Sequence, residues 1–224
     1  MNNLAKIRIT YTKTKKLSYI SSQDMILVFS RAFERAQMPV AINKDLEADI
    51  VLSDPALIGI DSTCDICDVN LKENYEIGYI IKCLNSVLPN GIVVLSVEPL
   101  NISSKPIDEA MYAVVYEIVP EYAKLGQMNN KEFADLRMWY KNKLQEYMSK
   151  PELNVLVKSS TRNERINIKP AIIDYEIQLN DGITVTVSNK TDYIFSPYYI
   201  MDGFLEYIDS SMPYTIRKVK VLYR

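Results

Sequence analysis

Hydrophobic residues recur at every second position in some segments of this chain of 224 residues and at helical spacing in others. The two patterns together predict an α+β fold. In residues 6–11, Ile7, Ile9 and Tyr11 alternate with polar residues, which is typical of a strand with one buried face. From Ser21 or Ser22 to Pro39 the apolar residues recur at helical spacing, and either serine suits the helix N-cap. The same two patterns predict further strands at 49–52, 56–60, 64–71, 92–99, 112–119, 153–157, 171–178, 183–187 and 214–223, and further helices at 74–87, 130–149 and from 196.

The order of these elements predicts two tandem ferredoxin-like (βαββαβ) units. The first covers residues 1–103, the second covers residues 110–224 and carries an extra strand, and residues 101–110 are the predicted linker. Asp181-Gly182 predicts a hairpin in the second unit. The large apolar residues on the helices form the predicted cores: Phe29, Phe33, Ile80 and Leu84 in the first, and Phe133, Tyr140, Phe204 and Leu205 in the second.

Composition removes several kinds of chemistry. The chain has 48% hydrophobic and 24% charged residues, as ordinary globular proteins do, and it has no histidine, which excludes imidazole bases and histidine-ligated metals. With six glycines and no phosphate-binding loop motif, a nucleotide cofactor is not expected. The three cysteines cannot form a framework of several disulfides, which favours a reducing cytoplasm, and because no apolar run of about 18 residues occurs, no membrane partner is expected. No catalytic residue and no cofactor is assigned.

The cysteines do not form a recognisable site. Cys64 and Cys67 make a C-x-x-C motif inside a predicted strand, where positions i and i+3 point to opposite faces. Asp65 and Cys67 should share one face of that strand, and the strand and turn positions account for Asp61, Asp65 and Asp68. The sequence therefore predicts neither a structural metal nor a disulfide.

Charge is distributed unevenly along the first third of the chain. Residues 1–44 carry eight Lys/Arg and two Asp/Glu, a net +6, whereas residues 45–76 carry one Lys and nine Asp/Glu, a net −8. These segments are either solvated faces that partly pair with each other or a basic patch for an anionic partner. Since the whole chain carries a net −2, no DNA partner is expected. The predicted contact surface consists of Lys13, Lys15, Lys16, Asp24, Arg31, Arg35 and Arg217.

Several segments are similar to the radical SAM-associated family of uncharacterised domains. The similarity is most specific over residues 6–71 and weaker after residue 110. Three positions depart from the family pattern: Ser22 stands in place of a histidine, Asn167 in place of an aspartate, and residues 41–47 replace a Gly-Phe-Asn-Pro-like segment. The segments that carry the resemblance are 13–24 (KTKKLSYISSQD), 31–41 (RAFERAQMPVA), 55–62 (PALIGIDS), 67–71 (CDVNL), 166–170 (INIKP), 196–197 (SP) and 216–217 (IR).

This resemblance implies an accessory domain without catalytic activity of its own. It would work beside a separate radical SAM enzyme and present an RNA or protein substrate to it. Two other readings remain open from the sequence. One is an RNA-processing nuclease on tandem ferredoxin-like domains, similar in outline to CRISPR repeat endonucleases, and the other is a structural interaction protein whose site has decayed.

Overall fold

The structure, a computed structural model, describes residues 5–53, 57–158, 163–179, 181–190 and 195–224. The chain forms two compact units. Unit 1 comprises Met1–Tyr112 together with Lys218–Arg224, and unit 2 comprises Ala113–Arg217. This division differs from the sequence-based boundaries 1–103 and 110–224, because the last seven residues pack with the first unit. The predicted α+β class is confirmed.

Unit 1 has the strand and helix order β-α-β-β-α-β. Strand β1 pairs antiparallel with both β3 and β4, and β2 pairs antiparallel with β3, so the spatial order is β4-β1-β3-β2. This arrangement supports the ferredoxin-like description, which at this level remains a prediction. The elements are β1 (Ala5–Lys13), α1 (Ser22–Arg35), β2 (Ile50–Leu52), β3 (Asp61–Leu71), α2 (Ile77–Val87), β4 (Val94–Leu100) and α3 (Ile107–Ala110).

The helices of unit 1 cover one face of its sheet. Ser21 is the N-cap of α1, and its side chain accepts from the backbone N–H of Asp24. The predicted core residues Phe29, Phe33, Ile80 and Leu84 are all buried, as expected for an apolar stripe at helical spacing. The ring of Phe29 packs edge-on against Tyr11 of β1, with 4.8 Å between ring centroids.

The other face of β1 is buried too, so the prediction of a half-exposed strand is wrong. Arg8 forms a two-point ion pair with Asp68, at 2.7 and 2.9 Å, and lies over the ring of Tyr223. Lys6 Nζ donates to the carbonyl of Ser104 at 2.7 Å. These cations are buried because each has a partner, which is the condition under which a protein interior accepts charge.

Two predictions for connecting segments are also wrong. Residues 101–110 are not a simple linker, since their last four residues form α3, in which Ile107 and Ala110 are buried. The strand predicted over 56–60 is absent from residues 57–60, which form a turn containing Gly59 at φ 86°, while residue 56 lies outside the described residues.

Unit 2 repeats the spatial strand order, with an insertion. Strand β9 pairs antiparallel with β5 and with β8, which gives the order β10-β5-β9-β8. Strands β6 and β7 form a separate two-stranded ribbon, where the sequence predicted one extra strand. The elements are β5 (Met111–Pro120), α4 (Asn130–Ser149), β6 (Asn154–Lys158), β7 (Asn163–Asn167), β8 (Ile172–Ile177), β9 (Ile183–Ser188), α5 (Tyr198–Tyr207) and β10 (Tyr214–Tyr223). The first two residues of β5 and residues 218–223 of β10 belong to unit 1.

The core of unit 2 is aromatic. Tyr140 and Phe204 are buried as predicted and pack edge-on, with 5.1 Å between ring centroids. Phe133 is 38% exposed, contrary to prediction, because it lies in the first turn of α4, where it packs perpendicular to Tyr122. Leu205 is partly buried. The predicted β8–β9 hairpin is confirmed by its pairing, although Asn180 of its turn lies outside the described residues.

Candidate functional site

The seven residues of the predicted contact surface differ in their exposure and in the elements that carry them. Lys15 and Lys16 are exposed in a single 3-10 turn after β1, and Lys15 takes a left-handed conformation, at φ 60°, that turns the chain away from the strand. Asp24, Arg31 and Arg35 are exposed on α1, and Arg217 is exposed at the end of unit 2. Lys13 is 2% exposed, so its expected place on the surface is wrong.

Two of the exposed cations contact the same connecting segment. Lys15 Nζ donates to Asn90 Oδ1 at 3.3 Å, and Arg35 Nη1 donates to the carbonyl of Val87 at 3.2 Å. Because Val87 and Asn90 are three residues apart, at most roughly 11 Å of chain separates these anchor points. Lys16 adjoins Lys15 in the 3-10 turn, and Arg31 lies one helical turn before Arg35 on α1. We call this set the turn patch: Lys15, Lys16, Arg31 and Arg35.

The turn patch is not neutralised by the acidic segment that follows in sequence. Within the part of the chain that the structure describes, neither Arg31 nor Arg35 has a carboxylate partner at salt-bridge distance. Asp49 instead accepts from the side chain of Asn70 at 2.7 Å. Asp24 is engaged at the start of α1, where its carboxylate accepts from the Ser21 hydroxyl at 2.7 Å. The positive charge of the patch therefore faces solvent.

A second group of charged residues is buried at the end of β1. Lys218, from the C-terminal part of β10 in unit 1, donates to Asp65 Oδ1 at 2.9 Å, and both side chains are fully buried. Ser62 donates to the same carboxylate oxygen at 2.9 Å. Lys13 lies opposite Ser62 in the β1–β3 pairing, and Tyr11 lies opposite Asp65. We call these five residues the Lys13 cluster: Tyr11, Lys13, Ser62, Asp65 and Lys218.

Burial shapes the electrostatics of the cluster. Desolvation lowers the pKa of Lys13; Asp65 opposes this shift and the neighbouring Lys218 ammonium adds to it. Burial raises the pKa of Tyr11 well above its ordinary value, and the Asp65 carboxylate acts in the same direction. Among the described residues, Asp65 Oδ2 and the Tyr11 hydroxyl have no hydrogen-bond partner. Perturbed groups of this kind mark functional sites as well as structural ion pairs.

Sequence reasoning missed this cluster although part of its signal was present. The expectation that Asp65 and Cys67 share one face is confirmed, because they lie opposite Tyr11 and Ile9 in the register. Strand and turn positions do not fully account for the aspartates, because Asp68 forms a buried ion pair with Arg8 and Asp65 forms one with Lys218. In β10, Lys218 lies two residues after the buried Ile216 and therefore on the same, buried face of the strand, where lysine is uncommon.

The described residues contain no arrangement built for metal binding. No group of three or more Cys, Asp or Glu side chains suited to a metal ion occurs in that part of the chain. Cys64, Cys67 and Cys83 are free thiols, and burial raises the pKa of Cys64 to about 11. Among the helices that the structure describes, none has the length and apolar character needed to span a membrane.

Comparison with known proteins gives a family match and weak likenesses to solved structures. Residues 6–197 match the model of a family described as "Uncharacterized protein conserved in bacteria (DUF2344)". No curated protein matches the chain. An unknown protein from Galdieria sulphuraria is similar at 10% identity and a TM-score of 0.31, over 97% of this chain and 100% of its own. A putative glycine cleavage system transcriptional repressor is similar at 7% identity and a TM-score of 0.29, over 99% of each chain. Likenesses of this size assign neither fold nor function.

Proposed function

We propose that this chain, which belongs to the family of uncharacterised proteins conserved in bacteria (DUF2344), is an accessory protein that holds RNA on the turn patch. It would present the RNA to a separate enzyme, and the resemblance described above implies a radical SAM enzyme in that role. The proposal assigns no catalytic step to the chain itself. Its support comes from the exposed charged and aromatic groups of the 3-10 turn after β1 and of α1.

The observation that carries the proposal is the combination of exposed cations with an exposed ring. Tyr19 is 67% exposed and belongs to the same 3-10 turn as Lys15 and Lys16. Single-stranded RNA offers unpaired bases that stack on aromatic rings and phosphates that bind lysine and arginine. Duplex DNA keeps its bases stacked internally and cannot use the ring in this way. The combination therefore favours an unpaired strand over a duplex, and RNA is the single-stranded nucleic acid that we propose.

The patch residues divide this work according to their side chains. Lys15 and Lys16 supply compact charges that suit single phosphates, whereas Arg31 and Arg35 carry planar guanidinium groups that donate two parallel hydrogen bonds to a phosphate. Arg31 and Arg35 are four residues apart on α1, so they project from one helix face. A strand that follows this face reaches the lysines through the loop to which Lys15 and Arg35 are both bonded.

Fluorescence anisotropy with a labelled, unstructured RNA tests this proposal. The double variant Arg31→Ala/Arg35→Ala should weaken binding and flatten its salt dependence by roughly 0.7 in log K per log salt for each phosphate that is no longer neutralised. Tyr19→Ala should weaken binding to single-stranded RNA and leave any binding to duplex DNA unchanged. The matched control is Lys44→Ala/Lys72→Ala, which removes two exposed lysines of unit 1 outside the patch. Absence of binding by the wild type, or equal weakening by the control, would overturn the proposal.

The partner enzyme requires a separate experiment. The tagged protein is recovered from its native cells, and the proteins that accompany it are identified by mass spectrometry. Enrichment of a radical SAM protein over an unrelated tagged control supports the accessory role. Enrichment of RNA without such a protein would leave the RNA surface in place and remove the radical SAM partner.

One observation favours a second candidate, RNA cleavage by the chain itself. Lys13 and Tyr11, two residues apart on β1, are candidates for a base and an acid without histidine: burial lowers the pKa of Lys13, which suits a base, but raises the pKa of Tyr11 well above its ordinary value, which opposes proton donation. Against it, Lys13 is 2% exposed and Tyr11 is fully buried, so an RNA strand cannot reach them without displacing their neighbours. Metal-free cleavage of labelled RNA that is abolished in Lys13→Met would replace the accessory role by this one.

A further inference from the structure

We propose that a groove beside α1 binds a basic, amphipathic segment of a partner protein, independently of any RNA on the turn patch. The groove lies between α1 and the loop over residues 38–48 and has a volume of about 480 Å³, within the range typical of binding pockets. Its lining combines apolar side chains with a similar share of polar surface that includes Glu34, and Asp45 and Glu47 flank the lining residue Leu46 in sequence. Among the residues that line it are Glu34, Met38, Ala41, Ile42, Leu46 and Ala48.

A leucine is held at the edge of this groove in an unfavourable conformation. Leu46 is 85% exposed and has φ 62°, a left-handed value that glycine or asparagine adopts far more readily. The side chain of Asn43 accepts from the backbone N–H groups of Asp45 and Glu47 at 2.9 and 3.0 Å, and the backbone of Asn43 bonds to Glu47 at 2.8 Å. The loop is thus firmly built around an apolar side chain that has nothing to bury it.

Ile42 extends the exposed apolar surface. It is 58% exposed and forms an isolated bridge with Ala48, so it and Leu46 border the same loop. An occupant that inserts apolar side chains would cover both residues against the buried Met38 at the base of the groove. Exposed apolar residues grouped around a concave surface are typical of protein interaction sites.

Charge identifies the class of occupant. Glu34, Asp45 and Glu47 are exposed, and none of them has a cationic partner among the described residues. Lys44 is the single cation between residues 41 and 49. A polyanion is repelled by this rim, whereas a segment that alternates lysine or arginine with leucine matches both the carboxylates and the apolar lining. The groove therefore fits a basic amphipathic helix, a common mode of peptide recognition.

Binding of three fluorescein-labelled peptides of about 18 residues, built on helix spacing, tests the inference. The first combines lysine with leucine, the second glutamate with leucine, and the third lysine with serine. We expect measurable affinity for the first peptide only. Equal binding of the glutamate peptide would remove the electrostatic argument, and equal binding of the serine peptide would remove the apolar one. Either result would overturn the proposal.

The variant Leu46→Gly separates binding from folding. Glycine adopts the left-handed conformation without strain, so the unfolding midpoint should stay the same or rise while the apolar side chain is removed. We expect the affinity for the lysine–leucine peptide to fall about tenfold, as befits the removal of one largely buried leucine. The control Leu179→Asn removes a 91% exposed leucine from unit 2 and should leave the affinity unchanged. An unchanged affinity in Leu46→Gly would overturn the assignment.

Further measurements test the charged rim, the independence from RNA binding and the identity of the occupant. Glu34→Gln/Glu47→Gln should weaken peptide binding and reduce its salt dependence, and no effect would count against the charged rim. RNA binding by Leu46→Gly should equal that of the wild type, so a failure of the groove proposal and a failure of the RNA proposal are distinguishable. Sedimentation that shows wild-type self-association, abolished in Leu46→Gly, would assign the groove to a second copy of this chain and overturn the peptide assignment.

Discussion

Replacing Asp65 by asparagine should destabilise unit 1 more than any single lysine replacement in the Lys13 cluster. Asp65 is the carboxylate that holds Lys218 at 2.9 Å and opposes the desolvation of Lys13, and all three side chains are at most 2% exposed. Asp65→Asn keeps the size of the side chain but removes the negative charge that acts on two buried ammonium groups, those of Lys13 and Lys218. Removal of one partner from a buried ion pair costs about 3–5 kcal/mol.

Lys218→Met should cost less, roughly 1–3 kcal/mol, because the Asp65 carboxylate then still faces Lys13 and accepts from Ser62. Hydrogen exchange of the β3 amides is the suitable assay, since it reports opening of unit 1 directly, whereas Trp139 belongs to unit 2. The control Lys72→Met, at an exposed position, should stay within about 0.5 kcal/mol of the wild type. If Asp65→Asn costs less than Lys218→Met, Asp65 is not the shared counterion and the electrostatic reasoning fails.

Two further predictions concern pH and packing. Burial lowers the pKa of Lys13 below its ordinary 10.5, so as the pH rises toward 10.5 the unfolded chain binds more protons than the folded one. The wild type should therefore gain stability relative to Lys13→Met as the pH rises toward that value. Urea midpoints of both proteins at several pH values check this, and a difference that does not change with pH would contradict it. In Gly203→Ala the new methyl group meets Val155 Cγ2 at 2.8 Å and the Tyr147 hydroxyl even more closely. The free energy of unfolding of unit 2, followed by Trp139 fluorescence in urea, should therefore fall by about 1–3 kcal/mol. A gain in stability would show that the core rearranges to accept the methyl group.

Local signals in the sequence were sufficient for most elements. The alternation around Ile7 and Ile9 predicts β1, and the serine cap with its apolar stripe predicts α1 to within one residue of its start. Strand β7 was not predicted, because its sequence Asn-Glu-Arg-Ile-Asn has one apolar residue and it forms only by pairing with β6. Helix α4 covers residues 130–149 as predicted, and Asn129 caps it in a capping box with Glu132.

The candidate surfaces were only partly predictable for a similar reason. Lys15, Lys16, Arg31 and Arg35 stand out as a basic group in sequence, and the structure leaves them exposed. The sequence could not show that Lys15 and Arg35 bond to one loop, because Val87 and Asn90 belong to a distant segment. It also gave no sign that Leu46 stands exposed in a left-handed conformation, since that depends on the hydrogen bonds of Asn43.

By itself the sequence determined the class of the protein: its α+β composition, most strands and helices, and the absence of histidine chemistry. Only the tertiary structure decided which of its charged side chains are buried. An alternating lysine or arginine looks like a solvent-facing residue when its strand is considered alone. Arg8, Lys13 and Lys218 are buried because carboxylates of β3, Asp65 and Asp68, lie beside them in the folded sheet. Burial of a charge depends on a partner supplied by the fold, and a strand's own pattern cannot reveal that partner.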